Sequence, residues 1–180
     1  MTISRSARIG VVTASDRASA GIYRDESGPA IEAWLTRCLV TKFEILRRII
    51  PDGFESVRDT LVQLVDVDGC DLVLTTGGTG PSPRDLTPEA TEAVAHRHFP
   101  GFGELMRQTS LQQVPTAILS RQTAVTRGQC LIINLPGKPA SIAVCLDAVF
   151  PAVPYCLDLM GAAFIDTDPT VLRSFRPKAG

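Results

Sequence analysis

The run Thr75-Thr76-Gly77-Gly78-Thr79-Gly80-Pro81-Ser82-Pro83-Arg84-Asp85-Leu86-Thr87-Pro88-Glu89 holds the densest chemistry in the chain. Three glycines within four residues let the backbone turn sharply and approach a ligand closely. Successive N–H groups in such a loop form a concavity for anions. The hydroxyls of Thr76 and Thr79 add donors, and Arg84 adds charge. Asp85 is a hard oxygen ligand suited to Mg²⁺, which binds through one or two carboxylates plus substrate phosphates. The same residues could also form a tight structural connection in which Asp85 closes a turn. Glycine count leaves these two readings even.

Two further carboxylates stand at comparable places. Asp52 follows a strand candidate in Pro51-Asp52-Gly53, and Asp16 follows another in Ser15-Asp16-Arg17. Asp52 and Glu55 have the spacing of a capping box before a helix, which makes Asp52 a helix cap on local grounds. It gains a functional reading only if it meets Asp85, where two carboxylates could share a cation. Asp16 could hydrogen-bond a ligand or close an Asx-turn. Ser15 and the turn Pro136-Gly137-Lys138 complete the candidate set.

These loops need strands to position them. Ile9–Thr13, Phe43–Ile50, Asp71–Thr75, Ala117–Thr126 and Cys130–Leu135 read as strands, and Leu72-Val73-Leu74 is the apolar run of a strand buried on both faces. Helical spacing is read after Gly28-Pro29 and over Phe54–Val67. It is read again from Thr87-Pro88, with Thr87 as N-cap, over Phe102–Gln113, and after Pro139 through Val149. A short helix is expected at Val153–Met160. The alternation predicts an α/β fold, a three-layer α/β/α sandwich with a mostly parallel sheet, as one domain over residues 1–180. A polar, loosely ordered tail is expected from about Asp166. Ligands of such sheets bind beyond the carboxyl ends of the strands. All four candidate segments follow strands, so all can share that edge.

Composition narrows the classes. With 18 Lys and Arg against 19 Asp and Glu among 180 residues, the net charge is −1, so the overall field does not point to nucleic acid or an anionic membrane. Five cysteines, none spaced C-x-x-C, suit a reducing cytosol better than a disulfide or zinc scaffold, and each reads as a small buried hydrophobe. Met1–Arg8 is polar with no apolar run behind it, so secretion and membrane spanning are not expected. No G-x-x-x-x-G-K-[ST] occurs, and Gly78-Thr79-Gly80 lacks the third glycine of G-x-G-x-x-G. His96 and His98 are too close in sequence to face one way on a helix, so they read as bland surface or partly buried residues. Arg47-Arg48 reads as a solvated face.

Thr76-Gly77-Gly78-Thr79-Gly80 with Pro83-Arg84-Asp85 and Thr87-Pro88-Glu89-Ala90-Thr91 resembles the signature of the molybdenum-cofactor biosynthesis family, which includes MogA, MoaB and the gephyrin G domains. Ser15-Asp16-Arg17-Ala18-Ser19, Pro100-Gly101-Phe102-Gly103-Glu104, Val114 through Arg121 and Ile133-Asn134-Leu135-Pro136-Gly137 extend the resemblance over nearly the whole chain, closest to the MogA branch. The resemblance implies a MogA-like fold, a homotrimer, and adenylylation of molybdopterin by MgATP with release of pyrophosphate. Asp52 and Asp85 match the family's two essential aspartates and are implied as catalytic and Mg²⁺-binding. Ser15, Asp16, Thr76, Gly77, Gly78, Thr79, Gly80, Pro136, Gly137 and Lys138 are implied as the substrate and nucleotide pocket. A downstream molybdenum-insertion protein is an implied partner; nucleic acid and membrane are not. Beside the adenylyltransferase stand two other readings: a non-catalytic or MoaB-like pterin-binding paralogue, and a scaffold domain. Between Asp147 and Val153 the chain is short where some bacterial members carry an insert.

Overall fold

Alternate residues of the central strands are apolar toward both faces, which forces helices onto both sides of the sheet. In the computed structural model, among the described residues 5–178, six strands form one sheet in the order β2-β1-β3-β6-β5-β4. The strands are β1 (Ala7–Ala14), β2 (Phe43–Ile50), β3 (Leu72–Thr76), β4 (Arg97–His98), β5 (Ala124–Arg127) and β6 (Cys130–Leu135). β2, β1, β3 and β6 pair in parallel, while β5 and β4 complete one side in antiparallel pairings. Parallel neighbours cannot be joined by hairpins, so crossovers supply the helices.

On one face Ile9, Val11, Leu72, Leu74, Leu131 and Ile133 pack against α2 (Ser27–Cys38), α5 (Pro100–Leu111), α6 (Pro139–Val149) and α7 (Val153–Met160). On the other, Val12, Val73 and Ile132 pack against α3 (Phe54–Val62) and α4 (Thr87–Ala93). Each buried Leu or Ile contributes ~1.5–3 kcal/mol by leaving water. The run Pro139–Met160 is apolar and long enough by composition to cross a membrane. Here it is two helices broken at Phe150–Ala152, with Ile142, Cys145, Leu146, Val149, Phe150, Val153 and Leu157 buried in the core.

Several local expectations are corrected. Where Asp16 could have closed an Asx-turn, a one-turn helix forms instead, α1 (Asp16–Ser19), capped by the Ser15 hydroxyl, which accepts from the Ala18 N–H at 3.2 Å. The helix expected over Phe54–Val67 ends as a π segment at Gln63–Val67. Ala117–Thr126 is not one strand: Pro115–Leu119 is a 3₁₀ turn with Ile118 and Leu119 exposed, and pairing begins only at Ala124. Thr87 is the first residue of α4, not its N-cap: Leu86 holds the cap position, the Thr87 hydroxyl caps no N–H, and the Thr87 N–H donates to the Gly78 carbonyl at 3.1 Å. Arg47 is not simply solvated, since it reaches the buried Asp25 at 2.8 Å. The tail is tied down. Thr167 bridges Leu39, the Asp168 N–H donates to the Cys38 carbonyl at 2.8 Å, and Arg176 donates to the Ile165 carbonyl at 2.8 Å. Met1–Ser4, part of the N-terminal stretch read above, lie outside the described residues.

Cys38, Cys70, Cys130 and Cys145 are buried free thiols and Cys156 is partly buried. Burial pushes the Cys70 thiol up to about 11 and that of Cys130 well above its ordinary value. Ellman's reagent at pH 8 should therefore leave the four buried thiols unmodified in the native protein and titrate all five after denaturation; rapid native modification of Cys70 or Cys130 would contradict this packing.

Candidate active site

Four strand ends meet at one edge of the sheet: β1 leads into Ser15 and Asp16, β2 into Asp52, β3 into Gly77–Gly80, and β6 into Pro136–Lys138. Their close approach depends on missing side chains. Gly77 has φ +90°, and a Cβ there would stand 2.2 Å from the Ala14 carbonyl oxygen. A Cβ on Gly137 would lie 3.3 Å from the Gly77 Cα. The Thr76 hydroxyl, fully buried, donates to the Pro136 carbonyl at 2.8 Å and pins the two loops together. The carbonyls of Gly78, Thr79 and Gly80 accept from the Thr87 N–H, the Arg121 N–H and the Arg121 guanidinium respectively. In a trans peptide the next N–H points the opposite way, so the Thr79 and Gly80 N–H groups are turned away from those partners.

Asp52 does not cap α3. Gly53, at φ +121°, is the N-cap, and it swings the preceding side chain across to α1. The Asp52 carboxylate accepts from the Asp16 N–H at 2.9 Å, and the Asp16 carboxylate accepts from the Asp52 N–H at 3.2 Å. Arg84 donates twice to the Asp16 carboxylate, at 2.6 and 2.8 Å, and to the Asp52 carbonyl at 2.6 Å. The sequence offered Arg84 as charge for a bound anion; here its guanidinium is engaged by Asp16. Asp85 Oδ2 accepts from the Ser82 N–H at 3.1 Å.

The charges are unequal. Hydrogen bonds from Arg84 hold the Asp16 carboxyl below its ordinary value. Burial, together with the charges of Asp16 and Asp85, raises that of Asp52 against the opposing Asp16 N–H and Arg84. A Cβ on Gly78 would stand 3.4 Å from Asp52 Oδ1, and one on Gly80 2.8 Å from Asp85 Oδ2. The glycines thus leave a cradle that faces both carboxylates. This donor set fits a hard cation such as Mg²⁺. Among the described residues no group of three or more His, Cys, Asp or Glu could hold a metal alone, so other oxygens would have to complete the shell.

Two cavities flank the glycine loop. The larger, about 220 Å³, is lined by Thr79, Gly80, Pro136 and Lys138, and also by Arg107, Ser110, Ser120, Gln122 and Ser141. The smaller, about 150 Å³, is lined by Ser15, Thr76, Gly77 and Gly137 with Tyr23 and Asp25. Burial pushes the Asp25 carboxyl up, but the Arg47 guanidinium and the Gly28, Thr13 and Ser27 donors hold it below its ordinary value. All the sequence-predicted site residues therefore lie at one edge. Sequence reasoning did not place Arg107, Ser120 and Gln122 in the site; Ser120 falls within the run Val114 through Arg121 that carries part of the family resemblance, but nothing in local spacing brings it, Arg107 or Gln122 to this cavity. His96 is not in the site; its Nδ1 accepts from the Gly128 N–H at 3.0 Å.

Fold and site together define an open-sheet α/β protein with a glycine loop and opposed carboxylates at its carboxyl edge. Residues 10–155 match the family described as "Probable molybdopterin binding domain", and the chain belongs to that family. It is 53% identical over 184 residues to the molybdopterin adenylyltransferase of Haemophilus influenzae, covering 96% of this chain and 93% of that one. It is 55% identical over 170 residues to the enzyme of the same name from Helicobacter pylori, covering 94% and 97%. Among solved structures, the molybdopterin biosynthesis enzyme MoaB of Thermus thermophilus superposes with a TM-score of 0.80 at 40% identity, covering 88% of this chain and 99% of that one. The Mog protein of Mycobacterium ulcerans superposes at 0.79 with 36% identity and the same coverage.

A raised carboxyl in the folded state means that the fold binds the proton more tightly than the unfolded chain. Stability from Asp52 is then present below its ordinary pKa of 3.8 and is lost as pH rises through the folded value. Asp52→Asn keeps an acceptor for the Asp16 N–H and removes the burdened charge. Thermal melts at pH 7 should show the variant at least as stable as wild type, with the gap closing toward pH 3; a large destabilisation at pH 7 would mean that the carboxylate is structural.

Proposed function

We propose that this protein is a molybdopterin adenylyltransferase of molybdenum cofactor biosynthesis. An oxygen of the pterin's terminal phosphate attacks the α-phosphorus of ATP, the bond to the bridging oxygen breaks, and pyrophosphate leaves. The observation that carries the reading is the convergence of Asp52, Asp85 and the Gly77–Gly80 loop between two cavities, as a two-substrate reaction requires. Relatives of more than half identity that bear this name support it.

One anion must approach another, so the protein's work is positioning and neutralisation rather than proton transfer or covalent catalysis. The larger cavity takes the pterin, whose polar edges meet the hydroxyls of Ser110, Ser120 and Ser141. Lys138 faces its phosphate. The smaller cavity takes the nucleoside beside Ser15 and Tyr23. The Thr79 and Gly80 N–H groups face the phosphates between the cavities. Asp16, held by Arg84, fixes the orientation of Asp52. Asp85 and Asp52 would hold Mg²⁺, which when bound supplies charge compensation for the pyrophosphate.

The working assembly is a homotrimer in a reducing cytosol, which suits five unpaired thiols. A third cavity, apolar and of about 410 Å³, lined by Phe99, Phe102, Leu105, Ala148 and Pro151, lies away from the site and gives a trimer surface to bury. Light scattering at micromolar concentration should give three times the 19.3 kDa chain mass, and a strictly monomeric mass would reject this assembly. A molybdenum-insertion protein downstream would receive the product.

Incubation with MgATP and molybdopterin should yield adenylylated pterin and pyrophosphate. Asp85→Asn keeps the shape and removes the charge a hard cation needs, so turnover should fall at least ~100-fold while the folded protein still binds molybdopterin. Product formation against Mg²⁺ concentration, with pterin binding followed separately, checks this. Unchanged turnover would sink the mechanism, and pterin binding without ATP turnover in wild type would favour the non-catalytic reading.

A further inference from the structure

Ser120–Thr123 links the 3₁₀ turn to β5, and Ser120 leaves the turn with extended backbone, φ −74° and ψ 128°. Ser120 and Gln122 line the larger cavity. Arg121 is not among the residues lining that cavity and instead reaches the loop that carries Asp85. Its Nε and Nη2 donate to the Gly80 carbonyl at 3.1 and 2.8 Å, Nη2 also donates to the Asp85 carbonyl, and Nη1 donates to Glu89 Oε1 on α4. Its backbone N–H donates to the Thr79 carbonyl at 2.9 Å. Gly80 and Asp85 flank the exposed stretch Pro81–Arg84. One guanidinium therefore closes that loop end to end and ties it to the following helix.

The anchor behind Arg121 is stiff. Arg107 on α5 donates to the Ser120 and Gln122 carbonyls at 3.4 and 2.8 Å. A Cβ on Gly103 would stand 2.2 Å from the Gln122 carbonyl oxygen, so α5 lies backbone against backbone on this segment. We propose that Arg121 is a positioning residue, which sets Asp85 against the glycine loop and joins it to the wall of the larger cavity. This rests on the adenylyl-transfer reading above. Only a planar guanidinium, with five donors in a fixed fork, serves three acceptors set apart in this way; a lysine ammonium presents its donors from one point.

The test uses the full-length chain as wild type, Arg121→Lys, Arg121→Gln, Asp85→Asn and the double variant Asp85→Asn/Arg121→Gln. The Asp85 N–H donates to the Ser82 carbonyl at 2.9 Å within the loop, so its hydrogen exchange reports closure without substrate. Both Arg121 variants should exchange at least ~10-fold faster there, with β3 amides unchanged. Their kcat should fall about 10–100-fold, as for a misplaced catalytic group, with molybdopterin binding retained. Because Arg121 acts through Asp85, the double variant should be no more than about twofold slower than Asp85→Asn. Unchanged exchange at Asp85 overturns the inference, whether or not the protein catalyses the reaction. So does a double variant that loses the product of both single losses, or unfolding of both Arg121 variants, which would make the residue structural. A wild type that forms no adenylylated pterin defeats the proposed activity alone, and the exchange measurement still judges Arg121.

Discussion

Negative charge gathered at the carboxyl edge of the sheet is the constraint on which the site depends. Asp16 and Asp52 lock each other's backbone N–H groups, and the interaction fixes α1 against the end of β2. Arg84 spends two hydrogen bonds on Asp16, leaving Asp52 half-buried under the charges of Asp16 and Asp85. An uncompensated carboxylate at a partly buried place is costly unless it meets a cation or gives up its ionised form. Among the described residues, the neighbouring groups that oppose this cost are the Asp16 N–H, which donates to the carboxylate, and the Arg84 guanidinium.

The scaffold that holds these charges is itself anchored by polar groups inside the core. Asn134 on β6 donates to the hydroxyls of Thr75 on β3 and Thr91 on α4, at 3.0 and 2.9 Å. Thr75 and Asn134 each stand two residues before the turns at Gly77 and Pro136, and the bridge ties α4 to the sheet. α4 in turn carries Thr87, whose N–H holds Gly78, and Glu89, which holds Arg121. The glycine loop is therefore held through three carbonyls by two residues, Thr87 and Arg121. Its sharpness comes from glycine, but its orientation comes from partners on α4 and on the segment before β5.

Close backbone packing recurs wherever the site must be rigid. Gly77 lies against Ala14, Gly137 against Gly77, and Gly103 against Gln122. At each place a methyl group would separate elements that now touch through their main chains. Contacts of this kind transmit position more faithfully than long side chains, which can change rotamer. They place groups from β1, β3, β6 and α5 within one small volume, although those groups come from most of the chain's length.

Much of this protein was legible in the order of its residues. Strand periodicity placed β2 at both ends and β1, β3 and β6 to within two residues, because alternation and buried apolar runs are local properties. The three-layer architecture followed from strand–helix alternation, and the carboxyl-edge rule gathered Ser15, Asp52, Gly77 and Pro136 at one end of the sheet. The 3₁₀ turn at Pro115–Leu119 escaped because its apolar residues look like a strand until burial is known, and Ile118 is 68% exposed. Asp52 is the clearest case of what only the tertiary structure decided. Its spacing to Glu55 describes a helix cap, and nothing within five residues contradicts that. The positive φ of Gly53 and the nearness of Asp16, thirty-six positions away, turn the carboxylate elsewhere. Arg121 is the same lesson for a cation. A hydrogen bond goes to whichever acceptor the fold brings within about 3 Å, and that choice is made between segments, not within one.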